Sequence, residues 1–425
     1  MYGAIFGDIV GSSYEFRETE KTKLFRLFTE ESRFTDDTVM SLAVAKALIE
    51  AGPSGDETKV KERLVDNLVN FGRSFPDAGY GKMFKDWFMG ENHEPYGSFG
   101  NGSAMRVSAA GWLFDSVERT REVARWTAEV THNDPEAVKG AEAIATVIFL
   151  ARNDWNNATI QHYIQREFGY ELTRSIEDLR KDYEGDATCA NTVPQAIRAF
   201  LEAEDFEDAI RGAVSLGGDT DTLACMAGSM AEAKFEIPEE FKEEVRDRIT
   251  PNMGKLLLDY ENIVQKLEER RDVLLQIHNF SAEHSKELLM PVLNALDIRM
   301  KAGCLFFMPV ELPEEETAKL QEKFPKGSVI PLARDLHPQR RSIATNDGKR
   351  WLAAFTSVSE GNKRDAETYY VGEPIGFTLQ DCMQIADCAG VVINAWGERF
   401  FFTREMIEIF LGKKEPEVQD DQAER

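Results

Sequence analysis

Through the first 250 residues of this chain, apolar side chains return every three to four positions, and that period restricts the fold more than any other feature. It runs through 38–50, 60–71, 119–130, 135–152, 194–203 and 220–235. Such spacing places one apolar stripe along a helix, whereas a half-buried strand needs strict alternation. No convincing series of alternating runs occurs here, so one compact all-α domain is expected over 1–250, with its chemistry on loops and helix starts. A single core rarely grows much past ~250 residues. The rest of the 425-residue chain is therefore expected to be organised separately, making the protein multidomain.

From Pro251 the rhythm becomes heptad-like through Leu256, Tyr260, Ile263, Leu267, Leu274 and Ile277. This predicts a long amphipathic helix within a helical linker over 251–300. Its stripe is expected to pack against the protein's own domain, with self-association through 256–277 as the alternative. Residues 301–412 read as a small α/β domain. Strands are expected at 304–310, 351–355, 390–394 and 400–402, with helices at 381–389 and 403–411, the last capped by Thr403. Residues 413–425 read as a charged, disordered tail.

Composition excludes several classes. The longest apolar runs fall well short of the ~20 residues of a membrane span. The opening Met1–Asp8 has no basic segment and carries an acid inside its apolar stretch, unlike a signal peptide. Five cysteines without paired close spacing suggest neither a disulfide framework nor a zinc site, and buried thiols in a reducing cytoplasm are expected. A net charge of −25 argues against nucleic acid as a partner. It also means that an anionic ligand would need backbone N–H groups or bound cations.

Two acidic clusters stand directly before helical segments: Thr35-Asp36-Asp37-Thr38, and Gly217-Gly218-Asp219-Thr220-Asp221-Thr222. Singly, each suits a capped helix start. Each nevertheless has more carboxylates than capping requires. If both starts faced one pocket, their charges would need a cation, and oxygen-only donors favour Mg²⁺, Mn²⁺ or Ca²⁺ over zinc. Three further segments stand out. The glycine-dense run 97–106 suits close backbone approach to phosphate or ribose, or is a plain surface turn. His132 precedes a helix and reads by itself as a helix-end residue. Glu15, in a turn of small residues, reads by itself as a surface glutamate.

In this order, the segments resemble the ADP-ribosylglycohydrolase family over residues 1 to about 245. The likeness rests on Gly7-Asp8-Ile9-Val10-Gly11-Ser12-Ser13-Tyr14-Glu15, the two acidic clusters, Gly100-Asn101-Gly102-Ser103-Ala104-Met105-Arg106, and Asn191-Thr192-Val193-Pro194-Gln195-Ala196. The resemblance implies an all-α fold in which the clusters converge on two divalent cations, Mg²⁺ or Mn²⁺. Their ligands would be Thr35, Asp36, Asp37, Asp219, Asp221 and Thr222. Gly97, Ser98, Phe99, Gly100, Asn101, Gly102, Ser103 and Met105 would hold ADP-ribose, with Phe99 near the adenine. His132, Gly217 and Gly218 would complete the ligand site, and Glu15 and Asp36 would act in the chemical step. Asp134 departs from bacterial relatives, which often carry a second His there. The implied activity is hydrolysis at the distal ribose of an ADP-ribosylated protein or small ADP-ribosyl substrate. An ADP-ribose binder or a scaffold without hydrolysis is the alternative. Residues from about Gly303 to Leu411 resemble the SseB-type (serine-sensitivity-enhancing) domain through 351–357 and 390–398, implying an accessory role.

Overall fold

The computed structural model describes residues 1–17, 21–283, 286–321, 324–331, 338–364 and 367–412. The tail expected at 413–425 lies outside them. The chain divides into two compact units, Met1–Leu267 and Glu268–Arg425.

Among its described residues the first unit is helical, with no strand longer than an isolated bridge between Gly100 and Thr188. Its centre is the contact between the opening helix, Tyr2–Gly11, and the helix Thr220–Ala231. Both are buried nearly all round, as expected of central rather than amphipathic helices. Gly3, Gly7 and Gly11 recur every fourth residue and so share one face. A Cβ on Gly7 would lie 2.0 Å from the Ala224 carbonyl oxygen, and one on Gly11 would lie 2.4 Å from the Cα of Asp221. Only glycine lets the two backbones come this close. The start of the second acidic motif is thereby set against the end of the opening helix.

The linker differs from the single long helix expected. Helices span Pro251–Arg271, Val273–Glu283 and Lys286–Lys301, the first crossing the boundary between units. The heptad reading fails at Asp272, whose carboxylate caps a new helix by accepting from the N–H groups of Leu274 and Leu275. The stripe shifts with it: Val273 is buried and Leu274 is exposed.

Among its described residues the second unit contains seven strands: β1 Leu305–Glu311, β2 Gln339–Arg340, β3 Ser342–Ala344, β4 Arg350–Ala354, β5 Tyr369–Pro374, β6 Cys388–Ile393 and β7 Phe400–Thr403. They form two sheets in the orders β2-β1-β5 and β3-β4-β6-β7, with only β4 and β6 parallel. Trp351, Phe355, Tyr370 and Val392 centre a core between them. Thr403 caps the last helix by accepting from the Met406 N–H. The helix expected at 381–389 instead spans Ile375–Cys382, beginning after Pro374. The apolar spacing of Cys382, Ile385 and Cys388 belongs to a turn wrapped around Arg404, which donates to carbonyls of all three.

Candidate metal centre and ligand cleft

Asp8, on the opening helix, organises the first acidic motif. Fully buried, it accepts from the Thr35 N–H at 2.9 Å, the Thr35 hydroxyl at 2.6 Å, the Thr38 N–H at 3.1 Å and the Thr38 hydroxyl. These bonds fix the start of the helix Asp36–Ala51 and oppose the rise in Asp8's pKa that burial causes. The second motif is tied in from the other side. The Thr220 hydroxyl donates to the Gly11 carbonyl at 2.8 Å, and the Thr222 hydroxyl donates to Asp37 at 3.2 Å. Asn101, from the glycine run, donates to Asp219 at 2.8 Å.

The outcome is a concentration of carboxylates. Asp8, Asp37 and Asp221 can each present an oxygen within 4.8 Å of the others, as can Glu15, Asp219 and Asp221. Asp221 belongs to both groups. Burial, reinforced by neighbouring acids, holds Asp37 and Asp221 well above the usual carboxylate range and raises Asp36 to about 8. Glu15 is raised by burial and then by Asp219. Oδ1 of Asp37 is buried without a hydrogen-bond partner. An orphaned anionic oxygen among mutually repelling, oxygen-only donors is what a hard divalent cation would satisfy, so these residues fit such an ion. Asp8 is saturated by its threonines and acts as the support beneath them.

Above these acids lies a cleft of about 410 Å³. Glu15, Asp36, Asp37, Asp219, Asp221 and Thr222 line it, as do Ser98, Gly100, Asn101, Gly102, Met105 and His132. Phe16, Phe84, Tyr96 and Arg106 complete much of the wall. Several expected contacts lie elsewhere. The Thr35 hydroxyl gives its hydrogen to Asp8, which leaves an oxygen lone pair for a cation, whereas Ser103 is buried and donates to the Ala137 carbonyl. Gly97 is exposed and donates to Asn133, and Phe99 has an exposed ring outside the lining. Gly217 and Gly218 adopt left-handed φ of 75° and 79° behind the Glu15 turn, where the Gly218 carbonyl accepts the Phe16 N–H at 2.7 Å. Asp134 caps the helix Pro135–Arg152.

His132 is buried, and desolvation, aided by Arg106, holds its pKa well below the ordinary value, leaving it neutral. Arg106 can only donate, and its guanidinium reaches Thr131 Oγ1 at 2.7 Å. The Thr131 hydroxyl is then free to give its own hydrogen to His132 Nδ1, 2.7 Å away. The tautomer this hydrogen bond favours carries its proton on Nε2, the nitrogen nearest Gly102. The cleft thus gains a neutral N–H donor beside the glycine run, with the Tyr96 ring 5.8 Å from the imidazole. Sequence reasoning assigned no role to Asp8, Tyr96 or Arg106. For Asp8 the signal was an acid inside an apolar helix.

Residues 1–273 match the family model described as ADP-ribosylglycohydrolase. ADP-ribosylhydrolase ARH3 of Homo sapiens is 27% identical over 322 aligned positions, covering 57% of this chain and 87% of that protein. The ADP-ribosylarginine hydrolase Tri1 of Pseudomonas putida is 26% identical over 282 positions, covering 58% and 72%. A solved structure titled "ADP-ribosylglycohydrolase-related protein complex" aligns at a TM-score of 0.46 and 22% identity, over 62% of this chain and 95% of that one.

Proposed function

Because the chain belongs to the ADP-ribosylglycohydrolase family, we propose that it is a divalent-metal-dependent hydrolase that removes ADP-ribose from modified protein side chains. The observation that carries this reading is the meeting of Glu15, Asp37, Asp219 and Asp221 in a cleft that the glycine run also lines. Thr35, Asp36, Asp37, Asp219, Asp221 and Thr222 are the proposed holders of two Mg²⁺ or Mn²⁺ ions. When bound, such ions supply Lewis acidity and lower the pKa of water.

The chain's own groups divide the remaining work. Gly100 and Gly102 let a diphosphate or ribose approach the backbone closely, and the His132 Nε2–H donates toward it. Tyr96 and Phe84 offer apolar faces for a base, a role for which Phe99 is less well placed. Cleavage at the distal ribose develops positive charge on that sugar, which the acidic end of the cleft favours. Glu15 lines the cleft, and burial and the neighbouring Asp219 raise its pKa, which suits a carboxyl that passes a proton between water and the leaving acceptor. Asp36 lines the same cleft and is the second residue proposed to act in the chemical step, as a carboxylate that holds a cation beside the reacting ribose. For the second unit we propose an SseB-type domain with an accessory role.

The test is to strip the full chain with a chelator, titrate it calorimetrically with Mg²⁺ or Mn²⁺, and assay it against arginine- and serine-linked ADP-ribosyl peptides. Uptake of metal with release of ADP-ribose from one linkage is expected. A folded chain that takes up no divalent ion and releases nothing would overturn the reading.

A further inference from the structure

A cavity of about 710 Å³ lies in the second unit, lined by Val310, Trp351, Leu352 and Cys388 of the two sheets and by Phe377 of the helix Ile375–Cys382. Cys388 opens β6, and its sulfur lies 3.4 Å from that of Cys382, the last residue of the helix Ile375–Cys382. Nothing in the proposed hydrolysis uses this pair of thiols. The intervening turn is gathered on one side chain. Arg404 donates to the carbonyls of Cys382 at 3.2 Å, Met383 at 2.8 Å, Ile385 at 2.9 Å and Cys388 at 3.2 Å. It therefore holds both cysteines of the loop, and its positive charge acts on both thiols.

We propose that Cys382 and Cys388 form a peroxide-reactive dithiol, in which Cys388 meets a hydroperoxide through the cavity and Cys382 closes onto it. In the first step the Cys388 sulfur attacks one peroxide oxygen, and the O–O bond breaks. A sulfenic acid forms, and the departing oxygen leaves as alcohol (or water) with the thiol's proton. In the second step the Cys382 sulfur displaces hydroxide from that sulfenic sulfur, which leaves as water with the second thiol's proton. Two thiols lose two electrons to the disulfide, and one hydroperoxide is reduced by the same two. The sulfurs need only draw together from 3.4 Å to the roughly 2.05 Å of a disulfide. Cys388 is held below the usual thiol range by its hydrogen bond with Cys382, backbone N–H groups and the Arg404 charge, while Cys382 is held above it, which matches their assigned order.

The experiment treats the reduced full-length chain with hydrogen peroxide, alkylates the remaining thiols and weighs the tryptic peptides. Both cysteines fall in one peptide, since no Lys or Arg lies between Arg364 and Arg399. The expected product is that peptide lighter by two hydrogen atoms and without either alkyl group, while Cys189, Cys225 and Cys304 stay alkylated. In Cys382→Ser, dimedone should capture a sulfenic acid on Cys388; in Cys388→Ser, none should appear on Cys382. The wild-type result stands even if a variant misfolds. Folded wild-type chain whose peptide keeps both alkyl groups after peroxide, or a sulfenic acid trapped on Cys382 instead, overturns the proposal.

Discussion

Replacing Gly7 by Ala probes how the two acidic motifs are held together. The added Cβ would lie 2.0 Å from the Ala224 carbonyl oxygen and 2.7 Å from the Cys225 nitrogen, whereas ordinary contact begins near 3.4 Å. The first gap requires the opening helix to withdraw by about 1.4 Å, the difference between those distances. Overpacking of this kind costs ~1–3 kcal/mol, and alanine's better helix propensity returns roughly 0.5–1 kcal/mol. A net loss of about 1–2 kcal/mol lowers Tm by roughly 2–8 °C for a unit of this size. The same withdrawal moves Asp8, and through it Thr35 and Thr38, away from Asp221, so divalent affinity should fall at least about tenfold, or ~1.4 kcal/mol. Gly212→Ala is the control, because its Cβ would meet Ala199 at an ordinary 3.6 Å. Thermal unfolding followed by circular dichroism, with calorimetric Mn²⁺ titration, reads both effects. A Gly7→Ala chain that matches Gly212→Ala in Tm and in metal affinity would refute the close-approach argument.

Asp8→Asn leaves the shape but replaces an acceptor of four hydrogen bonds; a loss of about 2–4 kcal/mol in denaturant titration is expected, and an unchanged midpoint would count against its supporting role. Glu15→Gln should cut turnover by roughly 10²–10⁴-fold while calorimetry shows ADP-ribose still bound; loss of binding instead would make Glu15 a ligand contact. His132 has a depressed pKa, so the folded chain binds fewer protons there than the unfolded one. Its contribution is fully present above the unfolded value near 6.5 and is lost as pH falls below it, so His132→Gln should weaken the decline of Tm between about pH 6.5 and 5. A fragment of residues 1–267 should fold and hydrolyse a small ADP-ribosyl substrate, whereas 1–250 lacks the buried Met253, Leu257 and Tyr260 and should unfold at lower temperature; equal stability of the two would contradict the longer boundary.

The helical character of the first unit was legible because its period is set by burial of one face, and the central helices simply extend that face all round. What periodicity cannot express is which helices touch. The meeting of Asp37 with Asp221 depends on glycines at 3, 7 and 11, a signal written in absent side chains rather than in apolar ones. Asp8 was visible as an acid inside an apolar helix, yet only the tertiary contact with Thr35 and Thr38 gives it a role. The resemblance set Phe99 near the adenine; in the fold its ring is exposed, beside the left-handed Gly97 and the pairing of Gly100 with Thr188, a local geometry that apolar periodicity does not express. In the second unit, β5 escaped notice, and the turn at 383–387 imitated a helix because Arg404, distant in sequence, satisfies its carbonyls. Asp272 broke the heptad helix for a local reason: a capping carboxylate outweighed the continuity of the stripe.

The central claim is that carboxylates shared between the two motifs create a metal-dependent hydrolytic site, and Asp221, common to both groups of oxygens, is where it is most exposed to test. The decisive measurement is ADP-ribose release by the wild-type chain and by Asp221→Ala, each with Mg²⁺ or Mn²⁺ and again after chelation, with circular dichroism confirming that both are folded. The account expects release only from the metal-loaded wild-type chain. Release by the chelated wild type, or by folded Asp221→Ala at the wild-type rate, would contradict it.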